Sequence, residues 1–256
     1  MASVSDLAVV ICHGSYHTPA PYLPLLNVGD VNKPDFDRGP PEGGYPQGNE
    51  DAKVILDVLE PLVNDQKKKV LVVAHSSGGW VATETARPEL QAKARKDKGL
   101  AGGIIGILYM GAFIVPVGES IHSFFQPKDG TFMIPPFLKF HKPGAAGLAT
   151  PSEAETYFFN DLATDVGKKW ATTLTASPIL TTKLSNDAYA ALPCAYLVLE
   201  SDLTLPKEYQ EVMIASQAQK TGEFTVYRCA TSHSPHLSWT QGVVDTVQDF
   251  VKKIEG

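Results

Sequence analysis

Val70-Leu71-Val72-Val73-Ala74-His75-Ser76-Ser77-Gly78 is the stretch on which the reading of this chain turns. An unbroken apolar run ends in a serine with Ala74 two places before it and Gly78 two places after it, and a helix-like stretch from Trp80 to Thr85 follows. A serine held on a sharp turn between strand and helix needs small residues at those two places, because larger ones would collide with neighbouring backbone. The pattern predicts a nucleophile elbow: a buried strand, a strained turn that presents Ser76, and a helix leading away. Alanine instead of glycine at the first small position adds one methyl group, a mild departure.

The segments on either side repeat the same alternation. Leu7 to Cys12 is a short continuous run rich in valine, the mark of a strand buried on both faces of a parallel sheet. Val54, Ile55, Val58, Leu59 and Leu62 fall at helical spacing within Glu50 to Val63. Ile104 to Phe113, Ala195 to Leu199 and Phe224 to Cys229 predict further strands. A helix whose apolar face carries Tyr209, Val212, Met213 and Ser216 is expected between the last two. Val243, Val247, Phe250, Val251 and Ile254 mark one face of a closing helix. Tyr16 to Asn27 is expected to start a short helix, and Asp30 to Asn49, crowded with Pro, Gly and Asp, to be mostly loop with at most a brief strand near Val31. Between Pro116 and Ala190 no strand is evident. Phe124, Phe125, Phe132, Phe137 and Phe140 crowd there among prolines and glycines, which predicts a helical cap over the sheet, or a satellite core under long loops.

A length of 256 residues suits one large α/β domain over 1–256, with the cap at 116–190 as an insertion within it, better than two independent domains. With 43% hydrophobic residues, a net charge of −6 and no like-charge run beyond Lys67-Lys68-Lys69, neither a nucleic acid nor an anionic membrane is an expected partner. Cys12, Cys194 and Cys229 lie in or beside apolar segments, and an odd count without metal-ligand spacing points to packed, reduced thiols. The start of the chain lacks the basic and apolar regions of a signal peptide. The longest apolar run, Ile104 to Val117, falls short of the roughly 20 residues a membrane helix needs. A cytoplasmic protein is expected, and the sequence leaves a homodimer open.

A serine hydroxyl is a weak nucleophile at neutral pH, so it requires a base within hydrogen-bond reach and an acid that orients the base. In this architecture the order is serine, acid, histidine. Asp202 follows the strand ending at Leu199, and His233 follows the strand ending at Cys229, so both fall at carboxyl ends of strands on the rim that carries Ser76. Glu200 sits nearer its strand end, His122 and His141 fall in the cap, and His75 is expected to point away from the elbow tip. His236 shares a loop with His233 and is its close competitor as base. The oxyanion of an acyl transfer needs two backbone N–H donors. Ser77, directly after the nucleophile, supplies one. Ser15 supplies the other from the loop after the first strand, where Gly14 lets the backbone approach.

The chain resembles the α/β-hydrolase-fold serine esterases, in the branch of plant methylesterases and hydroxynitrile lyases with their small fungal and bacterial relatives. The resemblance is carried by His13-Gly14-Ser15-Tyr16-His17-Thr18-Pro19, His75-Ser76-Ser77-Gly78-Gly79, Tyr109-Met110-Gly111-Ala112-Phe113 with Pro116, Gly118, Glu119 and Ser120, Tyr196 to Asp202 with Pro206, Gln210 and Met213, and His233-Ser234-Pro235-His236-Leu237-Ser238. It implies Ser76 as nucleophile, Asp202 as acid and His233, rather than His236, as base. It also implies Ser15 and Ser77 as oxyanion donors; Gly14 and His236 are expected at the substrate pocket, with packing beside Trp239 as the alternative for His236. Asp30 to Asn49 departs from relatives that have a helix and an edge strand there.

The lyases of that branch use a threonine hydroxyl beside the nucleophile and a lysine after the base. Gly14 and Ser234 stand at the matching positions and supply neither the hydroxyl nor the charge, so ester hydrolysis is favoured. The expectation is therefore a serine hydrolase that cleaves a small or medium apolar carboxylic ester or lactone through an acyl-enzyme, with no metal and no cofactor. A hydroxynitrile lyase-like or other carbon–carbon bond lyase is the first alternative. A non-catalytic small-molecule receptor on the same scaffold is the second.

Overall fold

The structure, a computed structural model, describes residues 6–17, 36–37, 39–221 and 224–256. In chain order its strands are β1 (Leu7–Cys12), β2 (Lys69–His75), β3 (Gly103–Met110), β4 (Leu138–Phe140), β5 (Leu148–Pro151), β6 (Ser177–Pro178), β7 (Cys194–Leu199) and β8 (Thr225–Cys229). The α-helices are α1 (Gly48–Glu60), α2 (Gly78–Thr85), α3 (Ala92–Lys96), α4 (Ile121–Phe125), α5 (Ala154–Tyr157), α6 (Thr164–Ala171), α7 (Lys207–Thr221), α8 (Pro235–Ser238) and α9 (Thr240–Glu255). None of them is long and apolar enough to cross a membrane.

The main sheet has five described strands in the order β1-β2-β3-β7-β8, all parallel. Its central strands are apolar throughout because both faces are covered. The expectation that Leu7 to Cys12 is buried on both faces is corrected, since Val9 and Ile11 of β1 are exposed on one of them. Val70, Val72 and Ala74 of β2 face Leu56 and Leu59 of α1, Ala82 of α2 and Met213 of α7 in one buried cluster. Leu71 and Val73 face the other way, into a cluster with Phe250 of α9, whose Val243, Val247, Val251 and Ile254 pack alongside. Strand alternation thus divides one apolar run between two helical layers. Because every strand points the same way, the segments that follow β1, β2, β3, β7 and β8 all emerge at one edge. Ser15, Ser76, Asp202 and His233 lie in four of these segments.

The insertion between β3 and β7 departs from the expected helical cap. Besides the short helices α4, α5 and α6 it holds a three-stranded antiparallel sheet, β4-β5-β6. The expectation of no strand there is corrected. These strands are two to four residues long, and two of them end in proline (Pro151 and Pro178), so no period-2 signal can build up. The insertion follows the third of the five described sheet strands, and strand β3 stops at Met110, three residues short of the predicted end. The expected short helix after Tyr16 and the brief strand near Val31 fall outside the described residues, apart from Tyr16 and His17. Residues 39–47 are loop, as their Pro and Gly content predicts, and α1 begins at Gly48. All three cysteines are free and buried, and burial pushes the thiols of Cys12 and Cys194 up to about 12.

Candidate active site

Ser76 leaves β2 with φ at +54°, a left-handed conformation that costs a non-glycine residue about 1–3 kcal/mol. The surroundings hold it there: its carbonyl accepts the Gly79 N–H at 3.0 Å and the Phe113 N–H at 2.9 Å. The small residue that the elbow demands is explained by one distance. A Cβ on Gly78 would lie 2.1 Å from the Cys12 carbonyl oxygen, so no side chain fits between the elbow and β1. Gly14 is constrained from the opposite side, since a Cβ there would lie 2.5 Å from the Ser76 Cβ and 3.0 Å from its Oγ.

His233 and Asp202 form a buried pair. The His233 Nδ1–H donates to Asp202 Oδ2 at 2.7 Å, with both side chains fully removed from solvent. Asp202 Oδ1 accepts the N–H groups of Thr204 and Leu205, each at 2.8 Å, so the carboxylate is satisfied at both oxygens and fixed in orientation. With Nδ1 carrying the proton, Nε2 of His233 presents its lone pair. This atom is buried and has no hydrogen-bond partner. The imidazole is thus in the tautomer that proton abstraction at Nε2 would need. The rejected carboxylate, Glu200, is exposed and faces Arg228 at 3.7 Å.

Two histidines that sequence reasoning left without a role meet here. His75, expected to point away, donates from Nε2 to the His233 carbonyl at 2.6 Å and lies ring to ring with His233 at 4.7 Å. His17 donates from Nδ1 to the Ser15 carbonyl at 2.9 Å and packs against His75 at 5.6 Å. His236 stands 5.3 Å from the His75 ring and 6.3 Å from His17. Burial, with the neighbouring imidazoles adding to it, lowers all three: His17 and His236 to about 4, and His75 well below its ordinary value. They are neutral at pH 7, which keeps positive charge away from the place where His233 would take up a proton. Among the described residues no group of three or more His, Cys, Asp or Glu side chains is arranged to hold a metal ion.

The insertion ties down both loops. Asp161 accepts the Ser232 N–H at 2.9 Å and the Ser232 and Ser238 hydroxyls at 2.5 and 2.6 Å, bracketing His233. The Asn160 side chain donates to the Ser201 carbonyl at 3.0 Å, next to Asp202. The rings of Phe158 and His233 meet at right angles, 5.4 Å between centroids. No local motif announces these contacts, since they join residues some 40 to 80 positions apart.

A cavity of about 400 Å³ opens beside the elbow, within the range of small-molecule sites. Ser15, Ser76 and Ser77 are among its lining residues. Phe113, Phe125, Phe137 and Phe158 lie among its apolar walls, and no Asp, Glu, Lys or Arg is among the described lining residues. His122, also on the wall, is lowered by burial. Gly14 and His236, expected at the pocket, are not among the described lining: Gly14 lies against Ser76 behind the wall, and His236 is drawn into the histidine cluster. The two expected oxyanion donors are side by side, and the Ser15 N–H donates to the Ser77 hydroxyl at 2.6 Å.

The five-stranded parallel sheet, its central strands covered on both faces and a serine elbow at its edge, defines an α/β hydrolase. The chain belongs to the alpha/beta hydrolase family, whose pattern it matches over residues 9–246. A curated relative, the alpha/beta hydrolase nvfD of Aspergillus novofumigatus (strain IBT 16806), is 26% identical over 254 residues, covering 94% of this chain and 95% of the relative. Among solved structures, a pyrethroid hydrolase from Sphingobium faniae JZ-2 shares 15% identity at a TM-score of 0.60, over 96% of this chain and 98% of the other. The methylesterase protein MES16 from Arabidopsis shares 16% identity at a TM-score of 0.60, over 95% and 98%. At that identity the two structures speak for the shared fold.

Proposed function

We propose that this chain is a serine hydrolase that cleaves an uncharged, apolar carboxylic ester or lactone through an acyl-enzyme. The observation that carries the reading is Ser76, held at φ +54° in the wall of an uncharged cavity, next in the chain to His75, which bonds the carbonyl of a His233 whose buried ring is paired with Asp202 and keeps Nε2 unpartnered. Strain at a single non-glycine residue persists only where surrounding structure imposes it, and here it lifts the hydroxyl towards the cavity. The esterase and hydrolase names of the structural neighbours point the same way.

In this reading Ser76 Oγ turns from Gly14 towards His233 Nε2 and gives up its proton as it attacks the carbonyl carbon. The tetrahedral oxyanion takes the N–H groups of Ser15 and Ser77, each such donor contributing about 3 kcal/mol of barrier lowering. The imidazolium, held by Asp202, returns the proton to the leaving alkoxide, and the alcohol departs. Water then loses a proton to the same imidazole, attacks the acyl-enzyme and releases the carboxylic acid, regenerating Ser76. The insertion acts as the cap, giving the apolar walls that select an uncharged body. A carboxylate product finds no cation on those walls, which favours its release.

Intact-protein mass after incubation with a fluorophosphonate tests the assignment. Wild type is expected to gain one adduct, and Ser76→Ala none, with hydrolysis of aryl esters lost in parallel and thermal stability kept, since alanine has the same Cβ and bears the same strain at φ +54°. Near-normal turnover by a folded Ser76→Ala protein would sink the mechanism.

A further inference from the structure

The Ser77 side chain does something its position in the helix does not call for. Ser77 is the residue before the first turn of α2, where a serine ordinarily turns its oxygen onto a free N–H of that turn. It makes no such cap here. Its hydroxyl instead reaches across to the loop after β1, accepting the Ser15 N–H at 2.6 Å and lying 2.8 Å from the Ser15 hydroxyl. Both residues line the cavity beside Ser76, and Ser77 is 8% exposed.

The Ser15 N–H is one of the two donors that an oxyanion would need, and Ser77 carries the other. An amide N–H has one hydrogen, so it cannot give a short bond to the Ser77 oxygen and to a substrate oxygen at once. We propose that the Ser77 hydroxyl is a positioning group that fills the oxyanion site of the empty enzyme and must turn aside before a carbonyl oxygen enters. This inference rests on the serine hydrolase reading above. The hydroxyl takes the part of a bound carbonyl: it keeps the Ser15 donor satisfied and aimed, and it competes with every incoming substrate for that donor. The hydrogen bond that has to break belongs to the free enzyme, so the penalty is the same whatever the acyl group. It is overcome by esters whose apolar body fills the cavity beside the elbow.

Removing the hydroxyl should therefore make the site more open to attack. The experiment compares wild type, Ser77→Ala and Ser77→Thr in the second-order rate of fluorophosphonate labelling at Ser76, and in kcat and KM for a short and a bulky aryl ester. For Ser77→Ala, labelling and kcat/KM are expected to rise roughly three- to tenfold, the worth of one neutral hydrogen bond, by the same factor for both esters. Ser77→Thr keeps the hydroxyl and is expected not to share the gain. Ser77→Gly, a second truncation, should reproduce the gain if Ser77→Ala fails to fold. A truncated protein that folds and labels at or below the wild-type rate overturns the proposal, because the hydroxyl then only supports the Ser15 loop. A gain shared by Ser77→Thr overturns it too, since loosened packing would be the cause. If wild type is not labelled at all, the hydrolase reading falls first and this one with it.

Discussion

Asp202 is the residue whose environment is most completely specified. Its Oδ1 serves two backbone N–H groups and its Oδ2 serves His233, so Asp202→Asn should keep the loop and lose the tautomer. The amide oxygen can go on accepting from Thr204 and Leu205, leaving the NH₂ group towards Nδ1. The imidazole then carries its proton on Nε2, where the lone pair is needed. Ester turnover is expected to fall about a thousandfold or more with little change in KM, while the melting temperature moves by a few degrees at most. Steady-state kinetics beside a thermal melt checks this; a loss below tenfold would show that Asp202 does not set the tautomer. The placement of Ser76, Asp202 and His233 at one rim was legible because each follows an apolar strand run of the parallel sheet. His75 and His17 were not, since their partners are the carbonyls of His233 and Ser15, and a carbonyl leaves no trace in a sequence. The Ser77 hydroxyl was hidden for the same reason: its backbone position marked it as a donor, whereas its side chain depends on how β1 and β2 sit side by side.

At the scale of elements, the insertion contributes more than cavity walls. Asp161, in the loop between α5 and α6, holds the segment on both sides of His233 through Ser232 and Ser238. Ser232 is wholly buried, so Asp161→Ala leaves its N–H without its acceptor, a loss of about 1–3 kcal/mol of stability. The base is also freed to drift, and kcat is expected to fall on the order of tenfold or more with KM changed less. Asp161→Asn, which retains an acceptor oxygen, should recover part of both losses. Urea unfolding together with kcat for the three proteins tests the link; equal kcat in all three would confine Asp161 to a structural part. The sequence pointed to this region through its aromatic residues alone. Strands of two to four residues and helices of four or five are too short to show a period, and the long-range bonds that order them have no local signature. In the main layers α1 and α9 were readable because they run 13 and 16 residues with one apolar face each. The face expected for α7 is corrected: Tyr209 and Val212 are exposed, and Gln210, Met213 and Gln217 are buried, two of them polar side chains that a hydrophobic pattern misses.

For the whole molecule, the decisive arrangement is that all five described strands of the main sheet are parallel, which gathers the ends of β1, β2 and β8 at one rim. Their apolar runs made the parallel sheet readable, but not the consequence that His17, His75 and His236 would be packed together there in neutral form. That packing makes stability depend on pH. A histidine whose folded pKa lies below its unfolded one takes up a proton more readily in the unfolded chain. Stability is thus unaffected above about pH 7, declines as pH falls through 6.5, and stops declining from that cause near the folded value, about 4 for His17 and His236. For His17 alone the loss at pH 5 is on the order of 2 kcal/mol, and His75 and His236 act in the same direction. Urea midpoints between pH 7.5 and 5 should therefore drop steeply for wild type and less steeply for His17→Gln, which can still donate to the Ser15 carbonyl but does not titrate. The difference between the two slopes, rather than either midpoint, isolates the histidine, because the carboxylates common to both proteins cancel. A wild-type midpoint that stays level over this window would mean that the three rings reach solvent readily enough to take up their protons in the folded state. The rim would then be looser than its hydrogen bonds to the His233 and Ser15 carbonyls imply.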